Sequence, residues 1–204
     1  MTDHDKLAAW FQDYSLWRAL QHSEDEPEAG MDTAAGFQES SRPAEGQIRL
    51  WPGGELPLYG LLIRSEYDQW TVIPFSVLSE PAVPQELRIR TSGPAQVLQG
   101  WNARRLGGRQ VAESWKADDL QEEEQFRVEG WWLAVEAGAE PPPLVRDHVG
   151  PPLRHPLDPR QEYLLSEANR SDGILGEPVA TYGLENDSLP LAAENPEENY
   201  GEEE

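Results

Sequence analysis

Cysteine is absent from the 204 residues, and this absence excludes disulfide bridges and thiolate metal sites. The chain also lacks any run of about 18 apolar residues, the length that a membrane-spanning helix requires. Its first residues are acidic where a secretory signal would carry basic ones. We therefore expect a cytoplasmic protein that makes no membrane contact.

Basic residues are scarce, and the excess of acid is unevenly distributed. Lys and Arg number 16 against 38 Asp and Glu, which gives a formal net charge of −22. Residues 23–45 and 161–204 hold 17 of these net negative charges. Such composition favours solvation over burial, so we predict a flexible acidic linker over residues 23–45 and a disordered acidic tail over residues 171–204. The negative charge also opposes binding to phosphate backbones, so we expect no direct contact with nucleic acid.

Aromatic residues near the start of the chain predict an amphipathic helix. In residues 5–21, apolar side chains recur every three or four positions, and Thr2 with Asp5 has the pattern of a capping box. The helix, within a unit spanning residues 1–22, either covers the protein's own core or docks in the groove of a partner. The predicted partner contacts on it are Trp10, Phe11, Tyr14 and Trp17.

Short strand candidates separated by Gly and Pro begin at Gly46 and favour a small barrel. The predicted strands are residues 47–51, 58–64, 69–75, 87–91, 95–98 and 128–135. The predicted helices that accompany them are residues 118–126 and 159–168. We therefore predict an α+β fold in which residues 46–170 form a small, partly open SH3-like β-barrel with helical additions.

Motifs of common catalytic machinery are missing from the sequence. It has no glycine-rich phosphate loop, nucleophile elbow or HExxH zinc motif. The four His residues match no zinc spacing, and His148 and His155 lie in a Pro-rich loop. We therefore expect no cofactor, no bound metal and no enzymatic activity.

A group of Arg residues beside an aromatic one is the second candidate contact. The stretch WNARRLGGRQ places Arg104 and Arg105 close to Trp101 with no acid between them. Interleaved Arg and aromatic side chains are able to grip a phosphate backbone, but they also pair with a protein's own acids. Because the chain carries eight Trp and Trp is favoured in interfaces, we predict that Trp101, Arg104 and Arg105 contact a protein partner.

Residues 46–89 resemble the start of the MazF/PemK toxin family, whose fold is a small SH3-like barrel. The stretches GQIRLW, LYGLLI and VIPFS stand in place of the family's first three strands. The resemblance implies RNA cleavage by an Arg that opens the second strand and a Thr or Ser in the turn that ends the third. Ser76 keeps the second position, but Leu58 replaces the Arg and supplies no charge to stabilise a transition state. Arg49 or Arg64 would have to substitute for it.

A second resemblance covers residues 67–120. Phrases such as WTVIPFSVLSEPAVPQEL and LQGWNARRL look like bacterial proteins of sigma-factor neighbourhoods and, more faintly, like accessory proteins of type III-E CRISPR systems. Both imply a protein partner that regulates transcription or antiviral defence. We therefore predict a non-catalytic regulatory module that binds a protein. A degenerate or active MazF-like endoribonuclease and an acidic DNA mimic are the alternatives.

Overall fold

The structure, a computed structural model, describes residues 1–21, 42–53, 56–155 and 157–176. The predicted linker lies outside the described residues as far as residue 41, and the predicted tail lies outside them from residue 177. The helices are α1 (Asp3–Gln21), α2 (Gly108–Ala112), α3 (Glu122–Glu136) and α4 (Arg160–Leu175). The strands are β1 (Gln47–Trp51), β2 (Leu58–Glu66), β3 (Gln69–Pro74), β4 (Glu86–Arg88), β5 (Val97–Gln99), β6 (Arg104–Gly107) and β7 (Trp115–Asp119).

Five antiparallel strands form the central sheet in the order β6-β3-β2-β1-β7. The strands predicted at residues 47–51, 58–64 and 69–75 are confirmed as β1, β2 and β3. A two-residue turn at Tyr67 and Asp68, both with positive φ, joins β2 to β3, as is typical of a type I′ hairpin. Gly60 of β2 is required by packing, because a Cβ there would lie 2.7 Å from Cγ1 of Val72.

Both faces of the sheet are covered, which explains the largely apolar sequences of its inner strands. Ile48, Leu61 and Ile73 pack with α3 and with the separate β4–β5 pair on one face. On the other face, apolar side chains of β1, β2 and β3 pack with α2 and the end of α4. A third cluster joins α1, α4 and the segment that follows β3.

The α+β class is confirmed, but the described strands form no closed barrel. β6 and β7 are the two edges of an open sheet, and the β4–β5 pair lies apart from it, linked by an isolated bridge between Phe75 and Leu98. The strands β6 and β7 were not expected from the sequence. The helix α4 continues to Leu175, so the predicted domain boundary at residue 170 falls inside it.

The prediction for residues 118–135 is wrong in two places. Asp118 and Asp119 end strand β7 rather than opening a helix, and residues 128–135 lie in helix α3 rather than in a strand. Valine and tryptophan favour strands locally, but the apolar side chains of 128–135 recur at helical spacing. Three acids in the first turn of α3 stabilise the positive end of its dipole, and Gly138, with φ +61°, ends the turn that follows it.

Helix α1 is part of the protein's own core. The predicted capping box is confirmed, since the Asp5 amide donates to Thr2 Oγ1 at 3.2 Å and the Thr2 amide donates to Asp5 Oδ2 at 2.9 Å. Trp10 is 0% exposed, and its ring stacks on Tyr14 and meets Tyr163 of α4 edge to face. The Asp13 carboxylate accepts from the Ser79 amide at 2.7 Å. The alternative in which α1 covers the core is therefore the observed one.

Replacing Trp10 by Ala tests this placement of α1. Because the side chain is fully buried, we expect Trp10→Ala to lower the free energy of unfolding by about 3–5 kcal/mol. The neighbouring Phe11 is 37% exposed, so Phe11→Ala should cost less than about 1.5 kcal/mol. Urea unfolding of both variants gives the comparison. Equal, small losses for the two would mean that α1 does not belong to the core.

Candidate protein-contact surface

Helix α3 presents two faces of different character. Val128, Trp131, Trp132 and Val135 are buried under the sheet. The opposite face carries Phe126, Gly130 and Leu133 at spacings of four and three, and Ala137, the residue directly after the helix, continues the same line. Phe126 is 70% exposed and Leu133 is 64% exposed. We call these four residues the contact stripe.

The buried face of α3 fixes the direction of the contact stripe. Trp131 is fully buried, and its indole nitrogen lies 3.4 Å from the carbonyl of Pro84. Gly100 makes room for this ring, because a Cβ at Gly100 would lie 2.9 Å from it. The helix is therefore held against the core along one side and cannot rotate to bury Phe126 and Leu133.

Gly130 lies at the centre of the contact stripe and has no packing role in the described structure. A Cβ built there meets no heavy atom within 4 Å, and its φ is not in the left-handed region. Glycine inside a helix costs about 0.5–1 kcal/mol relative to alanine. A small residue between two exposed apolar side chains lets the backbone of another chain come close.

Acidic side chains border the contact stripe. Glu122 and Glu123 in the first turn of α3 are exposed, and so is Glu129, which accepts a hydrogen bond from Gln125 at 3.0 Å. An apolar stripe with carboxylates beside it complements a partner surface that combines apolar and basic residues.

Four of the seven predicted contact residues are buried inside the protein. Trp10 and Tyr14 lie under α4, while Trp101 donates from Nε1 to Glu86 at 3.0 Å and Arg104 pairs with Asp172 of α4 at 2.7 Å. The folded protein therefore does not present these four to a partner. Phe11 and Arg105 are exposed and Trp17 is half-buried, so contact by these three stays a prediction. The structure brings Trp101 into the same apolar cluster as Trp10 and Tyr14, but inside the protein rather than on a surface.

The sequence-based prediction does not include the contact stripe, because a strand at residues 128–135 would not place Phe126 and Leu133 on one exposed face. The signal that finds it is the helical spacing of the buried set, with Val128, Trp131, Trp132 and Val135 at i, i+3, i+4 and i+7. Once that face is assigned to the core, Phe126 and Leu133 necessarily fall on the far side.

The positions that match the catalytic pair of the MazF/PemK family are both closed off. Leu58 is buried in the sheet, and Ser76 is buried beneath α4 with its Oγ 2.6 Å from the hydroxyl of Tyr163. Arg49 is buried and donates to Ser114, and Arg64 pairs with Glu136 at 2.7 Å. Each of the two proposed substitutes for the missing Arg is therefore engaged in holding the fold.

A chain of buried polar groups surrounds Ser76. The Ser76 hydroxyl accepts from the Leu78 amide at 2.8 Å, and the Tyr163 hydroxyl donates to Glu86 at 3.2 Å. Glu86 also accepts from the Ala82 amide at 2.5 Å. Burial raises the pKa of the Glu86 carboxyl to about 7. Burial raises the pKa of Tyr163 as well, and the neighbouring Glu86 and Glu167 carboxyls reinforce that shift.

The described histidines do not come together with other metal-binding side chains. His155 is exposed, and Asp158 is held by Arg160 at 2.5 Å. Within the described residues, no three His, Asp or Glu side chains are grouped so as to hold a metal ion. In the same residues no helix combines the length and apolar character that crossing a bilayer requires.

Comparison with known proteins places the chain in no family. No model of a known protein family matches it, and no curated protein matches it. A solved structure of an endoribonuclease in complex with its cognate antitoxin from a mycobacterial species is similar over 50% of this chain and 100% of that one. The sequence identity is 14% and the TM-score is 0.35, so this likeness carries no argument about fold or function.

The buried Glu86 makes stability depend on pH. Its pKa of about 7 in the folded state lies above the unfolded value of about 4.3. The folded state thus keeps a proton that the unfolded state loses, and this part of the stability is fully present below about pH 4 and is lost as pH rises through about 7. Between about pH 5 and pH 8.5 we expect a loss of about 2–3 kcal/mol.

Urea unfolding of the wild type and of Glu86→Gln at both ends of that range measures the effect. Gln does not titrate, so the difference between the two proteins isolates this carboxyl from every other group. The stability of the wild type relative to the variant should fall as pH rises. Parallel pH curves for the two proteins would contradict the assignment.

Proposed function

We propose that this chain is a non-catalytic regulatory module that binds an amphipathic helix of a protein partner along the contact stripe. The single observation that carries the proposal is the exposure of Phe126 and Leu133 on the outer face of a helix whose inner face is buried. Residues 67–120 resemble bacterial proteins of sigma-factor neighbourhoods and, more faintly, accessory proteins of type III-E CRISPR systems. This resemblance favours a partner that regulates transcription or antiviral defence. The resemblance of residues 46–89 favours descent of the open sheet from a MazF/PemK-like barrel.

The size and charge of the stripe are suited to packing against a single amphipathic helix. Phe126 and Leu133 are two turns apart, as are the anchors of many helical partners. Burying each of the two would contribute about 1.5–3 kcal/mol, which is enough to anchor a complex of micromolar strength when other contacts are added. Glu122, Glu123 and Glu129 beside the stripe favour a partner helix that carries Lys or Arg next to its apolar residues.

Leu133→Glu tests the contact stripe, with Leu16→Glu as its matched control. Leu16 is 60% exposed on α1 and Leu133 is 64% exposed on α3, so the two changes place the same charge at equally open helical positions. We expect both proteins to unfold within about 0.5 kcal/mol of the wild type. Leu133→Glu should lose partner capture from the native host, measured by affinity purification and mass spectrometry, while Leu16→Glu keeps it.

The reverse pattern would overturn the proposed surface. Capture that survives Leu133→Glu and fails with Leu16→Glu would assign binding to α1, where Phe11 and Trp17 are the predicted contacts. Partner capture that survives both changes would show that neither the exposed face of α1 nor the contact stripe on α3 binds the partner.

The absence of catalysis is supported by the burial of Ser76 and the apolar side chain at Leu58. A nuclease of the MazF/PemK kind needs a cation that stabilises charge on the phosphate, and Leu58 supplies none. We therefore expect no cleavage when purified protein is incubated with a mixture of single-stranded RNAs and the products are separated by gel. Cleavage that disappears with Ser76→Ala would show that the alternative, an active endoribonuclease, is correct.

A further inference from the structure

Guanidinium groups line a cleft on the side of α3 away from the contact stripe's apolar residues. The cleft has a volume of about 350 Å³. Its walls are formed by Arg88 of β4, by Ile89, Arg90, Thr91 and Gln96 between β4 and β5, by Arg127 of α3 and by His148. A cleft with three Arg side chains is unexpected in a chain whose formal net charge is −22. It has no part in the proposed protein contact.

Acids within the protein neutralise only part of this positive charge. Arg88 pairs with Glu80 at 2.6 Å, and Nη1 of Arg127 donates to both oxygens of Glu124 at 2.7 and 2.8 Å. Arg90 is exposed, and in the described part of the chain no carboxylate pairs with it. One guanidinium charge of the three is therefore left uncompensated.

A buried donor in the same cluster also lacks an acceptor. Nη2 of Arg127 is shielded from solvent and has no hydrogen-bond partner among the described residues. A buried charged donor without an acceptor costs free energy. Arg127 lines the cleft, so a small movement of its side chain would let an anion bound there accept from this donor while neutralising the charge of Arg90.

His148 adds a group that responds to an anion. Partial burial lowers the pKa of His148, and the nearby guanidiniums of Arg127 and Arg88 lower it further, against smaller opposite effects of Glu124 and Asp147. The imidazole is therefore neutral near pH 7. A negative charge placed among these groups would raise the pKa of His148, so binding and protonation of this residue are coupled.

The arrangement of the donors indicates which anion fits. Arg88 and Arg90 line the cleft from the β4 side, Arg127 lines it from α3, and His148 lines it from the end of the 3₁₀ helix Pro143–His148. A planar carboxylate accepts mainly in one plane, whereas a tetrahedral phosphate presents oxygens in several directions and pairs well with Arg. The volume is within the range of small-molecule sites.

We propose that this basic cleft binds the phosphate monoester group of a small molecule through the guanidinium groups of Arg90 and Arg127, with His148 beside them. The ligand replaces the solvent around Arg90 and pairs with the donor of Arg127 that has no acceptor. His148 takes up a proton as the anion binds.

Inorganic phosphate is the probe, and the titration follows the His148 ring signals of the full-length protein by NMR. His148→Gln assigns the signals among the four His. We expect saturable binding and a higher His148 pKa in the presence of phosphate. Arg90→Gln should weaken binding by about tenfold or more, because a hydrogen-bonded charge is lost. Arg105→Gln, which removes another exposed Arg with no carboxylate partner in the described ranges, should leave binding unchanged.

Three results would overturn the proposal. The first is a phosphate titration at constant ionic strength that does not saturate. The second is an equal loss of phosphate binding in Arg90→Gln and Arg105→Gln, which would indicate nonspecific electrostatic attraction. The third comes from phenyl phosphate, a short phosphoserine peptide and a single-stranded RNA compared in the same assay. Phenyl phosphate should bind at least as tightly as the other two. Much tighter binding of the peptide or the RNA would replace the small molecule by that class of ligand.

Discussion

The buried carboxyl of Glu86 joins three parts of the chain that are far apart in sequence. It accepts from the amide of Ala82 before β4, from the indole of Trp101 after β5 and from the hydroxyl of Tyr163 on α4. A fully buried carboxyl is costly unless its oxygens are satisfied, so these three donors must stay in place for the fold to form. This group holds α4 over the sheet, and Ser76 beneath it, together with the Ser76–Tyr163 hydrogen bond and the Arg104–Asp172 ion pair.

The packing of α1 follows from the same arrangement. Tyr163 is held by its hydroxyl and turns its ring towards Trp10 and Tyr14. The aromatic face of α1 is then buried in the protein's own core, and only the outer side of α1 is available for other contacts. Helix α3, by contrast, is anchored on its inner side by Val128, Trp131, Trp132 and Val135. Its outer side keeps exposed apolar groups at Phe126 and Leu133, and this difference is the reason for proposing a protein contact on α3.

The sequence predicted those elements whose local pattern agrees with their environment in the fold. The strands β1, β2 and β3 follow one another along the chain and pair with their neighbours, and α1 has both a capping box and a helical stripe. The strand predicted at residues 128–135 is a helix instead, because the helical spacing of its apolar side chains decides the structure and their strand propensity does not. The strands β6 and β7 are short and polar and exist through pairing with β3 and β1, which no local pattern reveals. The basic cleft joins residues up to 60 positions apart, so only the folded chain brings it together.

The burial of most Trp residues explains why a high Trp content does not indicate an interface in this protein. Eight Trp suggested a surplus available for binding, yet Trp10, Trp51, Trp101, Trp131 and Trp132 are all buried. Three separate apolar clusters, rather than one barrel core, use these rings. A high content of aromatic residues is therefore explained by several separate apolar clusters and does not by itself indicate a large interface.

Site-specific crosslinking from α3 tests the central claim most directly. The chain has no cysteine, so Glu129→Cys, at the border of the contact stripe, and Gly173→Cys each create a single thiol for a short photo-crosslinker, and both positions are exposed. With native-host extract, we expect a crosslink to one protein from position 129 and none from position 173 on α4. Crosslinks of equal yield from both positions, or from position 173 alone, would contradict it.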